Sequence, residues 1–215
     1  MKDFEHKVVC LIDKLKQYES DGFVFNPWKD TDKKDFSSDA PNIRCENLKR
    51  YLLNHENAKY ILLAESPSHG CHYTGIAMTS ERVMIQYPEI FAQYKTTSVE
   101  GNVREGTASY VWEMIKEKEK QFVLWNAFVF QTYKGDFSPR KPKNKELQEG
   151  IGILKDFLML YPKREKIIAI GKTAENILLN NNILLNEDKY QYIRHPSCGG
   201  ATEFRQGMRD ILKNI

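Results

Sequence analysis

Three residues of different chemistry each close a short apolar run. Glu65 follows Tyr60–Ala64, Asn126 follows residues 122–125, and His195 follows Tyr190–Ile193 by way of Arg194. A carboxylate, an amide and an imidazole meeting in one crevice supply the few polar groups that a small, specific site needs. The histidine has suggestive flanks. Pro196 stiffens the chain, and after Ser197 and Cys198 come Gly199 and Gly200, which let a backbone or a phosphate approach closely. An imidazole held there can stabilise a departing anion as an electrophilic donor.

Other groupings read as ordinary structure. Gly171-Lys172-Thr173 is like the end of a phosphate loop, but the full pattern needs glycine where Lys166 stands. It reads as a strand-to-helix turn. His69, Cys71 and His72 lie close together without a familiar zinc spacing, and Gly70 marks an irregular loop. The scattered Cys10, Cys45, Cys71 and Cys198 form no CxxC pair, so neither a zinc ribbon nor a disulfide scaffold is expected. Residues 134–145, KGDFSPRKPKNK, set five cations against one acid. That segment is either a solvated loop or a loop that contacts phosphates, which would position DNA without reading its sequence.

The elements that must position these groups follow from periodicity. Phe4, Val8, Leu11, Ile12, Leu15 and Tyr18 have helical spacing. A polar stretch over 21–42 reads as a long loop, and Leu48, Tyr51, Leu52 and Leu53 suggest a short second helix. Beyond it, four apolar runs of strand length alternate with helical patterns. The runs are 60–64, 122–125, 166–170 and 190–193; the helices cover 107–119, the face of Leu147, Ile151, Leu154, Leu158 and Tyr161, a stretch after Gly171, and 203–212. Such alternation predicts an α/β fold, a three-layer α/β/α sandwich around a central four-stranded, mostly parallel sheet. Open parallel sheets place their sites beyond the strands' carboxyl ends, where Glu65, Asn126, Gly171 and His195 fall.

With 215 residues, 41% of them hydrophobic, the chain can bury a substantial core, and one domain over 1–215 is expected, with 1–58 a helical and loop extension packed on it. The net charge of +3 does not announce a nucleic-acid binder, so any basic surface must be local. No apolar run approaches a membrane span, and the charged start MKDFEHKVVC lacks a secretory core. A cytoplasmic monomer with reduced thiols and no membrane partner is the expectation.

Four ordered segments then resemble the uracil-DNA glycosylase superfamily. AESPSHGCHYTGIAMTSER over 64–82 is similar to the first motif of a bacterial branch with a Gly-Glu-Ala-Pro-Gly pattern followed by Thr-Gly-Ile-Pro-Phe-Thr-Ser-Glu-Arg. LWNAFVF resembles the segment with the base-reading asparagine, IIAIGKTAENIL the third strand and its helix, and RHPSCGGATEFR the histidine motif. The resemblance spans about residue 60 onward. It implies a DNA glycosylase that hydrolyses the N-glycosidic bond of uracil or a related damaged base in DNA; because the cysteines lack ligand spacing, no cofactor, metal or iron–sulfur cluster is expected. It implies that Glu65 orients the attacking water, that Asn126 reads the pyrimidine edge, and that His195 stabilises the leaving base. Ser66 and Pro67 would line the pocket with Ser197, while Lys134, Arg140, Lys141, Lys143, Gly199 and Gly200 would face the nucleic acid. The chain departs from the pattern at Ala64, at Ser66, and at Ala77-Met78, where relatives carry Pro-Phe. That phenylalanine is the ring expected to stack on the base; Met78 or Tyr73 would have to replace it. The alternative reading is a non-catalytic nucleic-acid or nucleobase-binding module on the same scaffold.

Overall fold

The computed structural model describes residues 2–19, 23–67, 70–135, 138–185 and 187–215. His69, one of the grouped metal-type side chains, and Asp136 and Phe137 of the cationic segment lie outside the described residues.

The four apolar runs form one sheet. β2 (Tyr60–Ala64), β3 (Phe122–Asn126), β5 (Lys166–Ile170) and β6 (Tyr190–Ile193) are ordered β3-β2-β5-β6. Every pairing is parallel, so the sheet is wholly parallel. All residues of β2 and β3 are buried, as expected of strands covered on both faces. In register, Leu63, Trp125 and Ala169 share one face, and Ala64 and Asn126 share the other. Trp125 stacks on Phe157 of α6 (Asn144–Leu160), with centroids 4.1 Å apart. Ile193, in the Ala64 row through Ile170 of β5, packs against Gly207 of α8 (Ala201–Leu212), where a Cβ would come within 2.9 Å of it. Helices therefore flank both faces.

The sheet needs cover on its outer edge as well. Leu124 of β3 donates its backbone N–H to the Tyr51 hydroxyl at 2.8 Å, which satisfies a group on an outer strand. Tyr51 belongs to α2 (Ala40–Asn54), a helix much longer than expected. It begins inside the predicted loop because Pro41 is tolerated in a first turn, where its missing N–H has no intrahelical partner. α1 (Lys2–Gln17) packs on α2 and α6 with its apolar stripe buried, and its acids and lysines complement the helix dipole at either end. The helix expected over 107–119 is α5 (Gly106–Ile115), followed by a 3₁₀ turn over Lys116–Gln121. Lys118, at φ −130°, breaks the helical path. α7 (Lys172–Asn180) follows the Gly171 turn as expected.

The polar stretch after α1 is not a structureless loop. Arg44 of α2 organises it from within. The guanidinium and the Asp35 carboxylate are fully enclosed and 2.8 Å apart. Arg44 also donates to the carbonyls of Pro27 and Asp30 and to Thr97 Oγ1. β1 (Val24–Phe25) pairs antiparallel with β4 (Gln131–Thr132), a two-residue ladder too short to leave a periodic signal. Two short helices, α3 (Glu81–Gln86) and α4 (Pro88–Phe91), were likewise not expected. Buried Glu81 accepts from the backbone N–H groups of Thr97, Ser98 and Val103 and from the Ser98 hydroxyl, which ties α3 to the loop leading into α5. Among the described residues, no helix is long and apolar enough to cross a membrane.

Candidate active site

A cleft of about 490 Å³ opens at the carboxyl ends of the parallel strands. Each strand contributes to its wall through Ala64 and Glu65, Asn126, Ile170, or Arg194 and His195. The parallel register makes this convergence automatic. Ala64 stands opposite Asn126, and the backbone continues the pairing past the strand ends, with Ala127 N–H to Ala64 O at 2.8 Å and Phe128 N–H to Glu65 O at 2.9 Å. Glu65, Asn126 and His195 are thus brought to one cleft, together with Ser66, Pro67, Met78, Lys141 and Ser197.

His195 is held by its own loop. Ser197 donates its backbone N–H to Nδ1 at 3.2 Å, and its hydroxyl lies 2.7 Å from the same atom. A backbone donor aimed at Nδ1 makes that nitrogen an acceptor, so the neutral ring carries its proton on Nε2. Two glycines let the His195 segment pack closely. Gly171, at φ 88°, has no Cβ to press on His195; one would sit 3.1 Å from His195 Cβ. A Cβ on Gly200 would overlap the His195 carbonyl oxygen. Partial burial lowers the imidazole pKa below its usual 6.5, while the charges of Glu105 and Glu65 oppose the shift. Burial thus favours the neutral imidazole, which in this tautomer is a hydrogen-bond donor through Nε2.

Asn126 is almost fully enclosed, and its Oδ1 has no hydrogen-bond partner among the described residues. Buried amide oxygens are nearly always paired, and one left unpaired calls for an explanation. Asn126 also borders a small cavity of about 20 Å³ behind the cleft, shared with Pro67, Cys71, Trp28 and Trp125. The indole N–H groups of Trp28 and Trp125 are enclosed without partners among the described residues too.

No family model matches this sequence, and no curated protein does. Among solved structures, the chain superposes on the crystal structure of wild-type Pedobacter heparinus SMUG2 with a TM-score of 0.65. The two share a fold. The superposition covers 98% of this chain and 97% of SMUG2. At 16% identity the likeness to SMUG2 is one of architecture, and the side chains of the cleft have to be judged on their own geometry.

By that standard, several expectations need correction. Arg140 is engaged within the protein. Its guanidinium clasps Glu146 with both ends, at 2.7 and 2.5 Å, and donates to the carbonyls of Tyr133 and Lys141. Glu146 sits in the first turn of α6 and also caps the Lys143 N–H, so Arg140 anchors a helix start. Lys134 and Lys143 are exposed but do not line the cleft; Lys141 does. Tyr73 is buried away from the cleft wall, with its hydroxyl donating to Asp32 at 3.1 Å, so it is not the substitute stacking ring. Gly199 is exposed at φ 79°, in open space, whereas Gly200 is buried beneath His195. Met78 does line the cleft. It has the left-handed φ of 47°, unusual for a side chain of this kind, and its carbonyl accepts from Trp112 Nε1 at 3.1 Å.

The structure adds a second carboxylate that sequence reading missed. Glu105 lines the cleft, caps α5 by accepting the Ala108 N–H at 2.5 Å, and receives the Cys71 thiol at 3.8 Å. The only trace in the sequence is an acid just before a helical pattern, and glutamate is not a favoured cap. Lys172 and Arg194 also reach the cleft wall. Among the described residues, no three His, Cys, Asp or Glu side chains group as a metal site.

Glu105 is the larger of the two charges that raise the His195 pKa. Glu105→Gln is accordingly expected to move the His195 titration further below 6.5, since a stabiliser of the imidazolium is removed. An NMR titration of the ring measures this, and an unchanged or raised midpoint would show that the two groups are not coupled.

Proposed function

We propose that this chain is a DNA glycosylase acting on uracil or a related damaged base. The four motif segments run in the superfamily's order, and SMUG2, whose fold the chain shares, belongs to the uracil-DNA glycosylase superfamily. The observation that carries the reading is the placement of His195: its ring lines the cleft beside Glu65 and Asn126, with Nδ1 accepting the Ser197 backbone N–H.

The chemistry follows from the groups present. The target base leaves the duplex stack at a cost of a few kcal/mol and enters the cleft. Its edge is read by the Asn126 amide, whose enclosed oxygen then gains the partner it lacks. As the C1′–N bond breaks, its electron pair passes to the base and the sugar becomes oxocarbenium-like. His195 Nε2–H donates to the base anion, while Glu65 orients a water and offsets the positive sugar. The water oxygen bonds to C1′, and its proton passes to the carboxylate and on to solvent. The base anion takes up a proton from solvent, so the products are the free base and an abasic site. Lys141 and Arg194 at the cleft wall suit the flanking phosphates.

The alternative, a binding module without catalysis, draws on Ser66 and Met78, which depart from the family pattern at the pocket. Incubating the protein with oligonucleotides that carry uracil, hypoxanthine, xanthine or a mismatch separates the two readings. Base release at enzyme excess supports the glycosylase; tight binding with no release from any lesion supports the module. Asn126→Ala is expected to lower the rate on uracil and also to narrow the preference for uracil over other pyrimidines, because an edge reader discriminates by leaving wrong partners unpaired. A variant that is slower with unchanged preference would remove Asn126 from that role.

A further inference from the structure

β6 forms an outer edge of the sheet, and its exposed side is aromatic. Tyr190 and Tyr192 are 40% and 39% exposed, although most large apolar and aromatic side chains of this protein are buried. They lie two residues apart on one strand, so both project to the same side, about 7 Å from one another. The next position in that alternation is Arg194, which lines the cleft. Lys172, also on the cleft wall, holds its ammonium 5.7 Å from the centre of the Tyr192 ring and is ion-paired with Glu175. Two aromatic rings therefore lead away from the cleft, with Lys172 beside Tyr192 and Arg194 at the cleft end.

We propose that Tyr192 and Tyr190 are a stacking track for unpaired nucleotides that flank the target base. The inference rests on the reading of the cleft as a site for a DNA base and adds the form of the strand it takes. Aromatic rings interleaved with cations recognise single-stranded nucleic acid without regard to sequence, because every base has a π-face and every link a phosphate. The spacing favours an extended strand. The rings are separated by roughly twice the 3.4 Å rise of stacked duplex bases, so neighbouring duplex bases do not match them. In a duplex those faces are also occupied by neighbouring bases. Lys172 and Arg194 join the track to the cleft and suit the intervening phosphates.

The test compares wild type with Tyr190→Ala, Tyr192→Ala and the corresponding Phe variants, none of which changes a residue of the cleft wall. Fluorescence anisotropy is read with a lesion-free oligothymidylate and with a duplex of the same length, at one salt concentration. Thermal melting confirms that each variant is folded. The wild type is expected to bind the single strand more tightly. Each alanine should weaken single-strand binding by about 5- to 150-fold, the range that one stacked base contributes, with duplex binding within about twofold and Phe restoring the affinity. Equal losses on both ligands, or no loss on the single strand, overturn the track. Self-association of wild type that is abolished by the alanine variants would mark the edge as a protein interface and also overturn it. Base release is assayed separately. Tyrosine-dependent single-strand binding without base release would refute the glycosylase reading and leave the track standing.

Discussion

His195→Ala is expected to slow base release by about a hundredfold or more while DNA affinity changes little. The cause is that the Nε2–H donation strengthens only as negative charge collects on the departing base. Losing one preorganised donor to a developing anion typically costs on the order of 10²–10³ in rate. The structure makes the donor preorganised: Ser197 holds Nδ1, and the absence of a side chain at Gly171 and Gly200 lets the His195 segment pack closely there. Glu65→Ala is expected to act similarly, through the water and the sugar. Single-turnover assays at enzyme excess give the rate, and anisotropy on uncleaved DNA gives the affinity. A His195→Ala protein within about threefold of wild type would remove the imidazole from the mechanism.

Asp35→Ala should cause a large loss of stability. It leaves the fully enclosed Arg44 guanidinium without its counter-charge. Removing one partner of a buried ion pair typically costs about 3–5 kcal/mol, because the remaining charge stays desolvated. In a chain of this size that corresponds to a fall in Tm of roughly 10 °C. Asp35→Asn should lose less, since an amide oxygen can still accept from Arg44 Nη1. Thermal unfolding followed by circular dichroism measures both. A fall of under about 3 °C for Asp35→Ala would show that the carbonyls of Pro27 and Asp30 suffice for Arg44. The same change bears on the cleft at a distance, because Pro27 and Trp28 wall the small cavity behind Asn126.

The four sheet strands and the main helices were legible because their signals are local. A five-residue apolar run such as Ile61 to its neighbours in β2, or the stripe Phe4, Val8, Leu11, Ile12, Leu15, carries its own period. The cleft was legible for a related reason: in a parallel sheet, the residues that close the strands must meet at one end. Ala64, Asn126, Ile170 and Ile193 are chained by register, so Glu65, Asn126 and His195 had little freedom to end elsewhere. Less legible were the partners of single charges and single rings. Arg140 looked like one more cation in a cationic loop, yet a glutamate six residues on captures it. Tyr73 looked free to stack on a base, yet Asp32 holds it.

The sequence by itself determined the class of fold, the order of the strands' ends, and the chemical types gathered there. These depend on hydrophobic period and chain direction, which nearby residues set. Only the tertiary structure decided which polar groups remain available for chemistry. It withdrew Arg140 and Tyr73, brought Glu105 to the cleft through an α5 cap, and set Tyr190 and Tyr192 along an open edge. Partner choice among charged and polar side chains is made across loops whose paths carry no periodic signal. Desolvation and close approach settle it after the chain has packed.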